Sequence, residues 1–242
     1  MRPGFNSLHP DIGFMYFLTK LLTNRHIRHG ISTSESGNMS FEYGEKDKVV
    51  ENRRAFLDEI RIPVERAVFL DVQHGSKIIQ ATNSLAGVGF YSQETAIKAD
   101  GIVTNEKNLA LIVLTADCIP AIFYDPGNDL LGLAHISRHN TQAGFAQAFV
   151  SFLKREFGTN LQELKVFFAP AIQKESYILP EYPQGFDLTG ENVNQLLLKG
   201  IVEENIFVDP TNTARTFEFF SHYRSVRGGE REGRFATVAM LV

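Results

Sequence analysis

The pattern of apolar and polar residues along the chain predicts three helices. Residues 47–60 carry apolar side chains near helical spacing, and Pro63 follows them as a stop signal. Residues 141–157 place several phenylalanines on one helical face. Residues 192–200 predict a shorter helix that ends at a glycine.

Short apolar runs predict the strands, because they are too short for helices and apolar enough to be buried. They cover residues 67–72, 77–81, 101–104, 109–114, 121–124, 130–134, 164–168 and 234–242. Between two of them, residues 125–129 (DPGND) predict a hairpin with a five-residue loop. Residues 12–22 are expected to form a strand or helix of the same domain. The mixture favours an α+β fold, and no linker divides it, so we expect one domain over residues 1–242.

Composition narrows the class of protein. The 242 residues carry a net charge of −4, which argues against a general nucleic-acid binder, and 43% of them are hydrophobic, which is enough for a core. The one cysteine, Cys118, excludes an intrachain disulfide framework and is compatible with a reducing cytoplasm. No apolar run is long enough for a membrane helix, and the start of the chain lacks the layout of a signal peptide. We therefore expect a cytoplasmic protein that acts neither on nucleic acid nor on a membrane.

Three predicted strand ends carry a side chain that could bind a metal, namely His74, Cys118 and His135. The first two are 44 residues apart and the last two are 17 apart, which excludes the short ligand pairs of a structural zinc finger. Widely spaced ligands at strand ends are typical of a catalytic metal site, in which the fourth position is left to water or substrate. By residue type alone, Cys118 also fits a small buried hydrophobe, and each histidine fits a hydrogen-bonded structural residue.

Several motifs follow one another along the chain in a specific order. They are HGIST at residues 29–33, NMSFEYG at 38–44, ENR at 51–53, QHG at 73–75, ADGIVTN at 99–105, LTADCIPAIFYDP at 114–126, GLAH at 132–135, FSHYR at 220–224 and GR at 233–234. In this order they resemble the bacterial laccase-domain family, also called multicopper polyphenol oxidoreductase, purine nucleoside phosphorylase or peptidoglycan editing factor. The resemblance runs from about residue 28 to the C-terminus.

The resemblance implies an α-β-β-α sandwich, in which mixed sheets pack face to face with helices on the outside. It also implies that His74, Cys118 and His135 bind zinc. The implied site cleaves purine nucleosides or methylthioadenosine with phosphate and deaminates adenosine, so its partners are a small-molecule nucleoside and phosphate. We expect a monomer or a weak homo-oligomer. Copper is the less suitable metal, because the sequence lacks a His-x-His pair and a further cysteine for several copper centres.

The segment after the third ligand departs from the family pattern AHxGWRG, because residues 134–140 are AHISRHN. Arg138 stands at the family's tryptophan and His139 at its arginine, so the charged fork that suits phosphate is missing from its place. Either Arg138 supplies that charge from the neighbouring position, or the site has lost it. We treat both as candidate catalytic residues. Further departures are Ser34 in place of an arginine, residues 169–177 in place of a glycine-rich stretch, and Asn212 in place of a cysteine.

Asp117 is a third candidate catalytic residue, because it adjoins the cysteine ligand. Alternation along an extended chain would instead turn it away from the metal and leave it a hydrogen-bonding or turn residue.

The remaining motifs supply candidate substrate-binding residues. They are Asn38, Asn52, Arg53 and Arg224. For Asn52 and Arg53 the alternative is a solvated helix face or a structural salt bridge. Residues 224–234 predict a flexible charged loop that forms the mobile rim of a cleft.

Three functions stay open on the sequence. The first is a zinc-dependent purine nucleoside phosphorylase, with adenosine deaminase and methylthioadenosine phosphorylase as further activities. The second is an altered or inactive family member that binds zinc and a nucleoside-like ligand. The third is a cysteine hydrolase, with Cys118 as the nucleophile and His74 or His135 as the base.

Overall fold

The computed structural model describes residues 15–16 and 26–242, whose strands, numbered in chain order, form two mixed sheets. The first sheet contains, in spatial order, β1 (Met15–Tyr16), β2 (Ile27–Ser32), β12 (Phe235–Leu241), β7 (Ala110–Thr115), β3 (Ala67–Asp71) and β5 (Ile97–Lys98). The second contains β11 (Ile206–Val208), β10 (Lys165–Phe168), β8 (Ile119–Asp125), β9 (Leu130–Ile136), β6 (Gly101–Thr104) and β4 (Ile78–Gln80). Apart from β1, the prediction for residues 12–22 lies outside the described residues.

The two sheets pack face to face because their central strands are apolar on both sides. Along β7, Leu111 and Val113 belong to the core between the sheets, which also contains Leu133 of β9. The alternate residues Ala110 and Ile112 belong to a second core on the outer face of the first sheet. A continuous apolar run therefore predicts a strand that is covered on both faces, and the structure confirms it here.

Helices cover both outer faces of the sandwich. The first sheet is covered by α1 (Lys46–Glu59), which buries Phe56 and Leu57. The second sheet is covered by α3 (Phe145–Phe157) and α4 (Leu188–Leu198), whose apolar side chains share one core with it. This α-β-β-α arrangement confirms the predicted fold class. Among the described residues, no helix combines the length and the hydropathy that crossing a bilayer would need.

Several predicted elements differ in detail from the structure, such as the helix predicted over residues 192–200, which begins at Leu188 and ends at Leu198. The predicted helix over residues 141–157 is divided at Gly144, whose φ of 74° interrupts the helical backbone, into α2 (Arg138–Gln142) and α3. The hairpin loop after β8 is one residue shorter than predicted, because Asp125 pairs with Leu130 across the two strands.

The prediction of a flexible loop over residues 224–234 is wrong for its first part. A short helix, α5 (His222–Gly228), begins there with the Ser221 side chain accepting a hydrogen bond from the Arg224 N–H. It ends at Gly229, which has a φ of 69°. Arg224, Arg227 and Gly228 of the predicted loop therefore lie in a capped helix, and residues 230–234 follow it without helical structure.

Three segments of chain cross from the first sheet to the second. They are residues 72–77 between β3 and β4, residues 99–100 between β5 and β6, and residues 116–118 between β7 and β8. Because β3 is parallel to both β5 and β7, all three strands end at the same edge of the first sheet. The three crossings therefore lie at one end of the sandwich.

Candidate metal centre

The crossings bring the three predicted metal ligands together. His74 lies in the first crossing and Cys118 in the third, while His135 lies near the end of β9, beside Ala134, which pairs with the first residue of β6. The ligand atoms of the three side chains all lie within 4.8 Å of one another. The two imidazole rings are nearly perpendicular, with their centroids 4.8 Å apart.

Two imidazoles and one thiolate form a donor set that suits a metal ion. His135 is only 2% exposed and Cys118 is partly buried, whereas the side chain of His74 is exposed. The three ligands lie at the edge of an open cavity, so a metal ion bound to them would have a further coordination position on the cavity side. The residues present therefore fit a metal ion that is held by the protein on one side and accessible on the other.

Cys118 and the buried His135 shift each other's pKa in opposite directions. Burial alone would raise the pKa of the Cys118 thiol, but His135 and His74 beside it lower that pKa to about 6. Burial alone would lower the pKa of His135, but Cys118 and Asp100 raise it to about 9. In the protein without metal, these two shifts both favour a Cys118 thiolate beside a His135 imidazolium. A thiolate is the form of cysteine that binds a metal.

Asp100 lies directly behind the candidate ligands and was not predicted as a site residue. Its Oδ1 lies 2.8 Å from His135 Nδ1, and its Oδ2 accepts hydrogen bonds from the backbone N–H groups of Gly75 and Gln73 at 2.8 and 3.2 Å. Although burial would raise the pKa of Asp100, these hydrogen bonds lower it, so the group is a carboxylate. The signal in the sequence was its place in the motif at residues 99–105.

A cavity of about 710 Å³ opens beside the candidate metal centre. Aromatic and apolar side chains line part of it, among them Tyr177, Leu179, Tyr223 and Val226. Cationic or titratable groups also line it, namely Arg138, His139, His222, Arg227 and Arg234. Asp117 is the only carboxylate among the described residues that line it, while Glu181 pairs with Arg138, and Glu232 pairs with both His222 and Arg234.

Arg138 and His139, two of the predicted catalytic residues, both line this cavity on α2. The Arg138 Nη1 lies 2.9 Å from the Glu181 carboxylate, and the Arg138 side chain is 20% exposed. The side chain of His139 is exposed. Sequence reasoning missed Arg227 of α5, because it falls in the segment that was predicted to be a loop.

Asp117, the third predicted catalytic residue, has its carboxylate engaged away from the metal ligands. Its Oδ1 accepts a hydrogen bond from the Thr213 hydroxyl at 2.6 Å, and its Oδ2 accepts from the Ser221 hydroxyl at 3.0 Å and the Tyr223 N–H at 2.7 Å. Burial raises the pKa of Asp117 despite these bonds. The backbone φ of 82° at Asp117 turns the chain at this point. The structure therefore gives it the hydrogen-bonding role, which ties α5 to the crossing that carries Cys118.

The predicted substrate-binding residues of α1 are not brought to this cavity. The Arg53 guanidinium is buried and donates to the carbonyl oxygens of Met39, Gly89 and Phe90 at 2.7 to 2.9 Å. Asn52 donates to the carbonyl of Asn38 at 2.9 Å, and the Asn38 side chain in turn bonds to backbone groups. These three side chains hold loops against the first sheet, and Arg53 also lines a cavity of about 200 Å³ that shares His74 and Arg234 with the larger one.

Arg224 makes its hydrogen bonds within the segment that surrounds α5. Its guanidinium donates to the carbonyl oxygens of Thr213, Thr216 and Phe219 and to the Glu230 carboxylate. These acceptors occupy most of the donors of an arginine fork, so Arg224 stabilises the segment around α5.

The sequence also matches a known protein family. The family model described as multi-copper polyphenol oxidoreductase laccase matches residues 19–185. The chain therefore belongs to the multi-copper polyphenol oxidoreductase laccase family, which confirms the resemblance seen in the sequence.

Individual relatives are similar in sequence and in fold. Purine nucleoside phosphorylase YlmD of Bacillus subtilis is 30% identical over 215 residues, which cover 78% of this chain and 77% of the relative. The crystal structure of the Bacillus licheniformis hypothetical protein YfiH has a TM-score of 0.85 and 26% identity, covering 98% of this chain and all of that one. The crystal structure of YlmD from Geobacillus stearothermophilus has a TM-score of 0.82 and 28% identity, covering 90% of this chain and 92% of that one.

Proposed function

We propose that this protein is a zinc-dependent purine nucleoside phosphorylase. The observation that carries the proposal is the convergence of His74, Cys118 and His135 beside a cavity that also presents Arg138 and Arg227. The cavity volume of about 710 Å³ suits a small-molecule site. The name of the Bacillus subtilis relative supports the same chemistry for this chain.

Zinc is the metal that the donor set favours. Thiolate and imidazole ligands, three in number with an open position, are those of catalytic zinc. The same three ligands bind copper in electron-transfer sites with a weak axial ligand, often methionine, and no methionine occurs among the described residues that line the cavity. When bound, zinc would supply Lewis-acid chemistry to an oxygen of substrate or water.

In the proposed reaction, the N-glycosidic bond of a purine nucleoside breaks and C1′ of the ribose forms a bond to a phosphate oxygen. The products are the free base and ribose 1-phosphate. Arg138 and Arg227 hold the phosphate through charge-assisted hydrogen bonds. Tyr223 offers an aromatic face to the base. His139 is exposed to the cavity and donates a proton to the departing base.

The test is incubation of the zinc-loaded protein with adenosine, with and without phosphate. We expect adenine and ribose 1-phosphate only when phosphate is present, measured by chromatography. A zinc-loaded protein that releases no base after prolonged incubation with adenosine, inosine, guanosine or methylthioadenosine would overturn the proposal.

Two further activities belong to the same proposal. Methylthioadenosine has the same glycosidic bond, so its phosphorolysis needs only room for the thioether. In adenosine deamination, the oxygen of a water molecule replaces the exocyclic amino group, which leaves as ammonia. A metal-activated water would be the nucleophile of this reaction. Inosine formed without phosphate is the expected sign of deamination.

A non-catalytic family member is a second candidate, favoured by the ion pair between Arg138 and Glu181. That contact occupies part of the guanidinium that would hold phosphate. On this alternative the protein binds zinc and a nucleoside-like ligand without turnover. The double variant Arg138→Trp/His139→Arg, which restores the family pattern, would then gain activity that the parent lacks.

A cysteine hydrolase is a third candidate. It is favoured because His135 lies within hydrogen-bonding distance of both Cys118 and Asp100. A thiolate, an imidazolium and an orienting carboxylate are the groups of a cysteine nucleophile. Alkylation with iodoacetamide separates this candidate from the zinc enzyme. A zinc-bound Cys118 reacts slowly until a chelator is added, whereas a free nucleophile reacts at the same rate before and after the chelator.

We also propose that the chain works in the cytoplasm, as one domain and as a monomer or weak homo-oligomer. The lone cysteine and the net charge of −4 support a reducing compartment and small-molecule partners instead of nucleic acid. Light scattering of the purified protein measures the oligomeric state.

A further inference from the structure

We infer that Asp100 is a positioning residue that holds both histidine ligands of the proposed metal site through the two oxygens of one carboxylate. The inference rests on the proposed zinc site and extends it to a residue that neither binds the metal nor lines the cavity.

One oxygen of Asp100 fixes His135. Asp100 Oδ1 lies 2.8 Å from His135 Nδ1, and the backbone carbonyl of Asp100 accepts a hydrogen bond from the His135 N–H at 2.8 Å. Both the ring and the main chain of the histidine are therefore bound to the same residue. With a proton on Nδ1 directed to the carboxylate, Nε2 is the ring atom left to bind a metal.

The other oxygen fixes the backbone around His74. Asp100 Oδ2 accepts hydrogen bonds from the N–H groups of Gly75 at 2.8 Å and Gln73 at 3.2 Å, which flank the histidine in sequence. His74 itself has a φ of 56°, in the left-handed region that residues other than glycine seldom adopt. The carboxylate thus stabilises the backbone conformation that directs His74 to the site.

Asp100 reaches both histidines because it occupies the middle crossing between the sheets. Its side chain is fully buried. A carboxylate in this place orders the ligands before metal arrives, so its loss is expected to lower metal affinity without changing any contact with substrate.

The test compares two substitutions by zinc affinity, measured in competition with a chromophoric chelator. Asp100→Asn keeps an oxygen for the N–H groups of Gly75 and Gln73 but presents an N–H to His135 Nδ1, which forces the proton onto Nε2. We expect zinc affinity to fall about 10- to 100-fold. Asp100→Ala removes both contacts and is expected to lower the affinity further.

The matched control is Asp125→Asn. Asp125 is also a buried aspartate whose carboxylate accepts backbone N–H groups, those of Gly127 and Asn128, but it is the last residue of β8, at the hairpin that leads to β9. We expect it to keep the zinc affinity of the unmodified protein even if it lowers thermal stability.

A second measurement does not depend on any variant. Long-range proton–nitrogen NMR correlations of the zinc-loaded, unmodified protein report which ring nitrogen of His135 carries the proton. We expect a protonated Nδ1 and a metal-bound Nε2. Binding through Nδ1, or a folded Asp100→Asn protein with unchanged zinc affinity, overturns this inference while leaving the proposed function standing. If the unmodified protein binds no zinc, both fail.

Discussion

The two sides of the cavity are built in different ways. The metal side consists of His135 in β9 and the crossings between the sheets, two of which continue directly from the largely buried strands β3 and β7. The far side consists of the short helices α2 and α5 and the irregular segment 172–188, which are held by side-chain contacts such as Arg138 with Glu181.

This difference separates metal binding on one side of the cavity from substrate contacts on the other. The metal side matches the family motifs at all three ligands, whereas the far side contains the departures at Arg138 and His139. A change on the far side alters contacts with substrate but leaves the strands that carry the ligands in place. One scaffold can therefore keep a metal site while the ligand that binds beside it changes.

The largest expected effect is the loss of bound zinc when one ligand is removed from the metal side. His135→Ala leaves two ligands, so bound zinc should fall from about one ion per chain to background in elemental analysis, with loss of activity. His139→Ala, on the far side, should keep its zinc. Equal loss of zinc in the two variants would show that the sides are not separate.

Arg227→Gln tests the far side. The Arg227 guanidinium lies 4.3 Å from the centre of the Tyr223 ring, is exposed, and donates to the carbonyl of Ile178. Loss of a charge-assisted hydrogen bond to phosphate is expected to raise KM for phosphate about tenfold or more, with zinc content unchanged. Arg231→Gln, an exposed arginine that does not line the cavity, serves as the control and should leave KM unchanged.

Asp117→Ala tests the connection between the sides. It removes the acceptor for Thr213, Ser221 and the Tyr223 N–H, and it places an alanine at a φ of 82°. We expect the free energy of unfolding in denaturant to fall by about 1–3 kcal/mol, with zinc retained. Asp117→Asn should cost less, since asparagine tolerates this φ and keeps one acceptor. A complete loss of zinc in a folded Asp117→Ala protein would contradict this expectation.

The smallest expected effect concerns protons on the metal side. With a pKa of about 9, His135 is protonated near neutral pH and must lose that proton to bind zinc, whereas Cys118, with a pKa of about 6, is already a thiolate. Zinc uptake should release at least one proton, and zinc affinity should rise from neutral pH towards pH 9. Calorimetry in buffers of different ionisation enthalpy measures the release, and uptake without proton release would contradict the charge assignment.

The central strands were predictable because each is covered on two faces and therefore carries an unbroken apolar run, as in β7 and β9. The strand β2, the short strands β5 and β11, and the helix α5 were not predicted. In α5, charged residues and paired glycines suggest a loop, and only the cap at Ser221 and the contacts of Asp117 make it a helix.

The candidate ligands were predictable by residue type and motif, but their convergence was not. It depends on β3 and β7 ending at one edge of a sheet, which no local pattern contains. The surroundings of Arg53 were not predictable either, because its guanidinium donates to backbone carbonyls that are 14 to 37 residues away along the chain. Asp100 acts through hydrogen bonds to two distant segments, so its role is visible only in three dimensions.

The position of the candidate ligands at the sheet crossings has a mechanical consequence. His135 belongs to the second sheet, whereas His74 and Cys118 lie where the chain leaves the first. An ion bound there would cross-link the two sheets at the end of the sandwich where the chain passes between them. Separation of the layers would then require the ion to leave, so rising free zinc is expected to raise the temperature of unfolding by mass action.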